Sequence, residues 1–252
     1  MIEPAAWIVA PLGVFLIAAM KGAFGGGFAI LGIPLLALTM DPIAAGAMLA
    51  PLLLVMDAFA LRRWRPSTWS RPDLLALLPG LVVGVVAGAA LVAVAPSRLV
   101  AVLMAVVTLL FAGHWFWQRR GGRPAPARGP VSRWRALLAG AGSGVTTTLA
   151  HAGGPPLSLY LLRRDLTPAV YAGTTSLFFT AANVLKVGPW LLAAPPTPEV
   201  WALMALCVPV CWAGVTAGVA LHGRLPADRL FWWCHLLLIG VALKLLWDGV
   251  AG

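Results

Sequence analysis

The chain contains two helix-breaking stretches inside segments that are too apolar to lie anywhere but in a membrane. One runs from His151 to Pro156 (HAGGPP), and the other runs from Phe24 to Phe28 (FGGGF). Backbone without helical hydrogen bonds cannot face lipid, because each unpaired amide or carbonyl group would cost several kcal/mol. The two breaks must therefore be packed inside protein or line a wet cavity.

The composition indicates an integral membrane protein. Of the 252 residues, 61% are hydrophobic and only 10% are charged, and the mean hydropathy is +0.91. A formal charge of +10 would suggest nucleic acid in a soluble protein, but here the arginines gather between apolar runs, as in cytoplasmic loops of membrane proteins. We therefore expect no nucleic-acid partner. Tryptophans beside the basic loops, such as Trp64 and Trp134, fit an interfacial belt.

Hydrophobic runs divide the chain into two similar halves. A bilayer core of about 30 Å needs roughly 20 apolar helical residues to cross it, and four runs in each half reach or approach that length. Matches at offsets of 126 to 130 residues link the halves; Pro79 matches Pro209, for example, and Gly26 matches Gly153. Such a series indicates an internal repeat. We expect a first transmembrane repeat at 1–118, a cytoplasmic linker at 119–135 and a second transmembrane repeat at 136–252.

The distribution of arginine favours one orientation of the halves. If every broken segment crosses the membrane once, ten arginines lie inside and five lie outside. If each broken segment turns at its glycines and leaves on the side that it entered, the count becomes fourteen against one, which agrees better with the positive-inside rule. We therefore predict an all-α integral membrane protein with two inverted repeats, each a re-entrant helical hairpin plus three transmembrane helices. The alternative, eight plain spans with both termini inside, stays open.

The two breaks are candidates for the two halves of one binding site. Broken helices at related positions in both halves are the best sequence indication of a transporter's site. The short helices that begin after Gly27 and at Pro155 present free N–H groups and a partial positive charge to the middle of the membrane, which suits an anion. The alternative interpretation is that the glycines only let helices pack closely.

Three lysines are the only basic residues within the predicted spans and hairpins. A charge at that depth is a functional-site hypothesis by default. Lys21 lies one turn before the first break, and Lys186 lies one turn after Asn183 in the run that follows the second break, so either can neutralise a bound anion. The alternatives are snorkelling to an interface, which we prefer for Lys244, and, for Lys21, capping of the first half-helix.

Two titratable residues are candidates for coupling transport to protons. Asp57, which matches Asn183 at an offset of 126, is either a coupling carboxylate or a partner of Arg62 or Arg63 near the inner surface. His151 titrates in a range that suits proton linkage, or else it is a polar residue that ends its helix by bonding to backbone.

The two breaks belong to longer motifs. The first is Lys21 to Gly27 (KGAFGGG) followed by Pro34, and the second is His151 to Pro156 followed by Tyr160 to Leu162 (YLL). With these motifs and the duplicated apolar plan over nearly its whole length, the chain resembles the TauE/SafE family of bacterial membrane permeases, often described as sulfite exporters. The resemblance implies export or uptake of sulfite, sulfoacetate, other sulfonates or related organic anions across the inner membrane.

We therefore predict a multi-pass secondary transporter that exports small anions across the bacterial inner membrane. No nucleophile elbow, phosphate loop, zinc motif or pair of catalytic carboxylates is found, so we expect neither an enzyme nor a cofactor. The expected partners are the anion, membrane lipid and protons as the candidate coupling ion, with a homo-oligomer left open. The expected coupling residues are Asp57 and His151. The expected substrate-binding residues are Lys21, Phe24, Gly25, Gly26, Gly27, His151, Gly153, Gly154, Pro155, Asn183 and Lys186. The alternatives are an anion channel and a non-transporting membrane scaffold or assembly factor.

Overall fold

The computed structural model describes most of the chain. It covers residues 3–24, 32–120, 129–130 and 132–221 and, near the C-terminus, 232, 235–236, 239–240, 242–244, 246–247 and 249–250. No strand occurs in the described residues, as the sequence predicted. The helices that this part delimits are α1 (Ala6–Phe24), α2 (Gly32–Leu36), α3 (Pro42–Arg63), α4 (Arg71–Val94), α5 (Ser97–Arg120), α6 (Arg133–Ala150), α7 (Gly154–Leu161), α8 (Pro168–Ala193) and α9 (Pro198–Leu221).

Several helices begin and end where local sequence signals place them. Asp41 caps α3, since its carboxylate accepts from the backbone N–H groups of Ile43 and Ala44 at 2.8 and 3.1 Å, and a proline follows it. The Thr167 side chain caps α8 in the same way, again before a proline. At the other end, α6 stops at His151, whose backbone is left-handed with φ 51°.

Five of the helices are long and apolar enough to cross a membrane, judged by length and composition. They are α1, over its segment Ala6–Ala23, and α3, α4, α8 and α9. Large apolar side chains on these helices are exposed, such as Val83 at 63% and Trp212 at 55%, and lipid is the solvent that suits them. The chain is therefore a multi-pass membrane protein.

Helices α4 and α6 pack in parallel through glycines. A Cβ atom built on Gly80 would collide with the backbone carbonyl of Leu137, and one on Gly84 would collide with that of Ala141. Because the contact positions rise together along both helices, α4 and α6 run in the same direction. The absence of side chains at these glycines lets the two backbones touch.

Helices α1 and α9 repeat this parallel arrangement. A Cβ atom on Gly214 would lie 2.8 Å from the carbonyl oxygen of Phe15, and one on Gly218 would collide with the carbonyl of Ala19. Each glycine-mediated contact thus joins a helix of the first half to a helix of the second half. Helix α4 packs against α6, and α1 packs against α9.

Helices α3 and α8 cross between these two pairs and run antiparallel. Gly46, near the start of α3, abuts the ring of Trp190 near the end of α8, whereas Asp57, further along α3, bonds to Asn183. Trp190 and its sequence match Trp64 are both 1% exposed. Trp64 therefore packs into the main apolar core and does not face lipid, while Trp134 is 66% exposed.

Both broken segments turn back on themselves. In the first, a Cβ atom added to Gly13 of α1 would lie 3.3 Å from the side chain of Leu36 of α2. A Cβ atom added to Gly32 of α2 would lie 2.9 Å from the side chain of Ile17 of α1. In the second, Gly142 of α6 faces Pro156 of α7 at 3.4 Å. The short helices α2 and α7 therefore lie antiparallel against the long helices that precede them.

Candidate functional site

The second break is held together by the residues on either side of it. His151 ends α6, and its backbone N–H donates to the carbonyl of Thr147 at 3.0 Å. The hydroxyl of Ser143 donates to the carbonyl of Gly153 at 2.6 Å, across the turn. A Cβ atom on Gly153 would lie 2.8 Å from Phe179 and from Thr147, so a side chain at this glycine would strain the turn. Gly153 can therefore serve close packing and a binding site at once, because the tight turn at this glycine lies beside the buried side chain of His151.

The ammonium group of Lys186 lies at this break, although it comes from α8. Its Nζ donates to the hydroxyl of Thr147 at 3.0 Å and to the carbonyl of Thr147 at 3.2 Å, and it lies 2.8 Å from His151 Nδ1. An ammonium has three protons and no lone pair, so all three of its donor positions are occupied. The side chain is 1% exposed, which places a charged group deep within the protein.

His151 Nδ1 lies between two groups that place opposite demands on it. The Lys186 nitrogen at 2.8 Å donates to Nδ1 when it is protonated, whereas the Thr147 carbonyl at 3.1 Å can only accept. With Lys186 protonated, Nδ1 accepts from it and the ring proton of the neutral imidazole lies on Nε2. Nε2 is buried and has no hydrogen-bond partner in the described part of the chain. The ring lies beside the backbone of Gly46 and 5.8 Å from the ring of Trp190, which donates its indole N–H to the Thr148 carbonyl at 3.1 Å. In the tautomer with the proton on Nε2, His151 presents an N–H donor inside the protein, next to the backbone of Gly46.

A second charged group links the first break to the crossing of α3 and α8. Lys21 Nζ lies 2.6 Å from Asp57 Oδ1, and Asn183 donates its amide to Asp57 Oδ2 at 2.6 Å. The contact with Lys21 is an ion pair rather than an aligned hydrogen bond, since Oδ1 has no hydrogen-bond partner among the described residues. Asp57 thus pairs with Lys21 and not with Arg62 or Arg63.

The buried charges of the two clusters do not cancel. Lys21, Asp57 and Lys186 are 5%, 1% and 1% exposed, and the charges of Lys21 and Asp57 act on Lys186. Within the described residues no carboxylate lies within salt-bridge distance of Lys186, so a protonated Lys186 gives the set one positive charge in excess, whereas an unprotonated Lys186 leaves the set neutral. An uncompensated charge in a low-dielectric interior is strongly unfavourable. A small anion would supply the missing charge.

The structure brings together five of the predicted site residues: Lys21, Asp57, His151, Asn183 and Lys186. Lys21 does not snorkel, because it is buried with Asp57, whereas Lys244 is exposed as expected. Gly153, Gly154 and Pro155 line the turn and the first residues of α7. Gly25, Gly26 and Gly27 lie outside the described residues, as does the side chain of Phe24, whose backbone ends α1.

The sequence did not single out the roles of two residues. Thr147 supplies two acceptors to Lys186, and only its place in a hydroxyl-rich run before the break indicated polarity. Trp190 covers His151 and abuts Gly46. Its match with Trp64 at an offset of 126 was a signal for an internal position, since two interfacial tryptophans need not recur at equivalent places in a repeat.

Comparison with known proteins gives one match. The family model described as "Sulfite exporter TauE/SafE" matches residues 10–245, which is most of the chain. No curated protein and no solved structure matches the chain. The matched residues include both breaks and all of the buried charged residues described above.

Proposed function

Because the chain belongs to the sulfite exporter TauE/SafE family, we propose that it is a secondary transporter that exports small sulfur-containing or related organic anions across the bacterial inner membrane. The observation that carries this proposal is the buried ammonium of Lys186. It lies beside the imidazole of His151, whose Nε2 has no hydrogen-bond partner among the described residues, and in its protonated form Lys186 has no carboxylate partner there. An oxyanion offers the charge and the acceptor oxygens that this set lacks.

The proposed binding mode uses both clusters. The anion would accept from His151 Nε2 and lie in the electrostatic field of Lys186 and Lys21. The N–H groups at the start of α7, from Gly153 and Gly154, would add donors on one side, and those near Gly26 would add donors on the other. Asp57 and His151 are the groups through which protons would couple to transport, since both touch a lysine of the set.

We propose that the two halves are inverted repeats with re-entrant hairpins, bounded at 1–118 and 136–252 with the cytoplasmic linker 119–135 between them. The directions of the helices support this. Helices α3 and α8 occupy equivalent places in the two halves, yet they run antiparallel. A two-fold axis normal to the membrane would leave equivalent helices running the same way, whereas an axis in the membrane plane reverses one of them.

The position of the axis and the path of the hairpins agree with this arrangement. Asp57 and Asn183 match at an offset of 126 and bond to each other, as expected of two equivalent residues that lie on the axis. Both α2 and α7 turn back along the preceding helix, so that each broken segment would leave on the side that it entered. Rocking of one half against the other about this axis would then give alternating access.

The topology is tested by single cysteines read out with a membrane-impermeant thiol reagent. In the proposed arrangement, Arg163→Cys reacts only from the cytoplasmic side and Thr197→Cys only from the outside. The arrangement of eight plain spans puts position 163 outside. Labelling of intact cells at position 163 would therefore overturn the inverted hairpins.

The function is tested with the full chain purified into liposomes. Labelled sulfite, sulfoacetate and an unrelated carboxylate are offered with and without a pH gradient, and flux is measured for the native protein, Lys186→Met and Lys244→Met. We expect flux of a sulfur oxyanion or sulfonate that responds to the gradient. Lys186→Met should lower this flux by about tenfold or more, as for a lost hydrogen bond to a charged group, while the exposed control Lys244→Met retains it.

Three other outcomes would contradict the proposal. Flux that ignores the proton gradient would indicate an anion channel. Tolerance of both Lys186→Met and Gly154→Leu would indicate a scaffold or assembly factor. Failure to move any sulfur oxyanion or sulfonate would remove the substrate class.

A further inference from the structure

A groove lies on the surface of the protein between the first turns of α4 and α6, away from the buried charged residues. It encloses about 860 Å³, and its lining includes Pro72, Leu75 and Pro79 of α4 and Arg133, Trp134 and Leu137 of α6. Leu75 is 73% exposed and Trp134 is 66% exposed, so the walls are apolar and open to the surroundings. The volume lies within the range of about 300–1,000 Å³ that is usual for ligand sites.

The packing of the two helices explains where the groove ends. At Gly80 the backbone of α4 touches the carbonyl of Leu137, which closes the space between the helices. Nearer the helix starts no glycine of α4 draws the backbones together, and the ring of Pro72 and the side chain of Leu75 form a wall instead. Pro79 has no N–H, so the carbonyl of Leu75 lacks its usual helical donor.

The rim of the groove is basic without an opposing acid. Because α4 and α6 run in parallel, both begin at this end and present the positive ends of their helix dipoles. Arg71 opens α4, and Arg133 and Arg135 lie in the first turn of α6, where no acidic residue is found; all three are exposed. The nearby Asp73 is buried, and its carboxylate accepts from Arg164 at 2.7 Å, so it does not neutralise the rim.

We propose that this groove binds an anionic phospholipid, with the phosphate at Arg133 and the acyl chain along Leu75, Pro79 and Leu137. The lengths fit this placement. Arg133 to Leu137 descends about 6 Å along α6, so the groove leads from the basic rim to the level of the hydrocarbon. The exposed indole of Trp134 lies between these levels, as interfacial tryptophans do.

The chemistry selects a lipid over other anions. The walls are the lipid-facing surface of two apolar helices, so an acyl chain would cover them, whereas a soluble phosphate would touch only the rim. The rim selects an anionic headgroup over a zwitterionic one, because a choline group would bring a positive charge against the arginines. Since α4 belongs to the first half of the chain and α6 to the second, the lipid would bridge the halves.

The test is native mass spectrometry of the full chain in detergent micelles with added dioleoyl phosphatidylglycerol or dioleoyl phosphatidylcholine. Three variants are compared with the native protein: Arg133→Gln, Arg133→Lys and Arg65→Gln. Arg65 is an exposed arginine on the loop before α4, outside the groove, and serves as the matched control. Both positions, Arg133 and Arg65, are exposed, so the variants should fold.

We expect the native protein to retain phosphatidylglycerol in preference to phosphatidylcholine. Arg133→Gln should weaken this retention by about fivefold, which is the contribution of one basic residue near an anionic lipid surface. Arg133→Lys and Arg65→Gln should retain phosphatidylglycerol about as well as the native protein does. Three results would overturn the proposal: equal retention of the two lipids, equal losses in Arg133→Gln and Arg65→Gln, or displacement of the lipid by millimolar inorganic phosphate. A dimer that carries no phospholipid would assign the groove to a second copy of the chain and overturn it as well.

Discussion

The substitution Asp57→Asn should destabilise the protein strongly although it removes little more than a charge. An asparagine keeps the size of the side chain and an amide oxygen that can still accept from Asn183. It offers no charge to Lys21, whose ammonium lies 2.6 Å from Asp57 and has no route to solvent at 6% side-chain exposure. The variant would leave Lys21 and Lys186 as two buried positive charges with no carboxylate between them.

The expected magnitude follows from the geometry. At the 2.6 Å separation of Lys21 and Asp57, and with an effective dielectric constant of about 20, the attraction is about 6 kcal/mol. Part of this offsets the desolvation of the two ions, and removal of one partner from a buried pair typically costs about 3–5 kcal/mol. We therefore expect a loss of about 3–5 kcal/mol for Asp57→Asn. The double variant Lys21→Met/Asp57→Asn should recover most of it, because no unpaired ion is left from the pair.

The assay is equilibrium unfolding in mixed micelles titrated with sodium dodecyl sulfate, followed by circular dichroism. The control is Asp41→Asn, the same change at an exposed helix cap, where asparagine caps as well as aspartate does. A loss below about 1 kcal/mol in Asp57→Asn would refute the reasoning, as would a double variant whose loss equals the sum of the two single losses.

Three further changes test other contacts in the same unfolding assay. Gly84→Ala places a methyl group against a backbone carbonyl of α6 and should cost about 1–3 kcal/mol, whereas Gly113→Ala, with nothing within 4 Å of the new atom, should be neutral or stabilise by up to about 1 kcal/mol. Asp73→Asn removes the charge that faces Arg164 and should cost about 1.5–3 kcal/mol, and restoration by a neutral residue at the arginine would support the pairing. Trp190→Phe loses one hydrogen bond to a carbonyl of α6 and should cost about 1 kcal/mol, with a fall in sulfite flux if the ring also positions the imidazole beside it.

The sequence predicted the membrane helices and the second break because these signals are local. Runs of apolar residues define the spans, and the consecutive Gly153, Gly154 and Pro155 lie where α6 has ended and α7 begins. The match between Asp57 and Asn183 was also found from the sequence, at an offset of 126. Their contact was not, since a repeat shows which residues are equivalent and does not show which equivalent residues touch each other.

The sequence could not predict the partners of the buried charges. Asp57 stands five residues before Arg62 on the same helix, and Lys21 is far away in the chain, so local spacing favoured the wrong partner. The distance to Lys21 depends on how α1 and α3 pack, and α2 contacts both of them, since its Gly32 lies against Ile17 of α1 and Leu49 of α3.

The contacts of His151 show the same limit in another form. Proximity to Thr147, four residues earlier, follows from the end of α6, but the left-handed backbone at His151 and the approach of α8 decide where the imidazole points. Lys186 Nζ, which comes from α8, lies 2.8 Å from His151 Nδ1, so the position of the ring proton depends on a group that is distant in the sequence. The sequence shows only that His151 and Lys186 are polar residues in apolar segments, and the fold places their side chains in contact.

The departure from internal symmetry at Asn183 sets the charge of the proposed site. Had both halves carried an aspartate at this position, two carboxylates would lie in contact on the axis, and such a pair cannot keep both charges and shares a proton. The charge of the site would then change with pH at the place where the substrate binds. With an amide at Asn183, Asp57 accepts a hydrogen bond from it and pairs with Lys21, so that a protonated Lys186 is the one charge of this set without a counterion. A monoanion, such as hydrogensulfite or a sulfonate, brings this set to neutrality, whereas a dianion reverses its sign, and the proposed exporter should therefore prefer the singly charged form of its substrate.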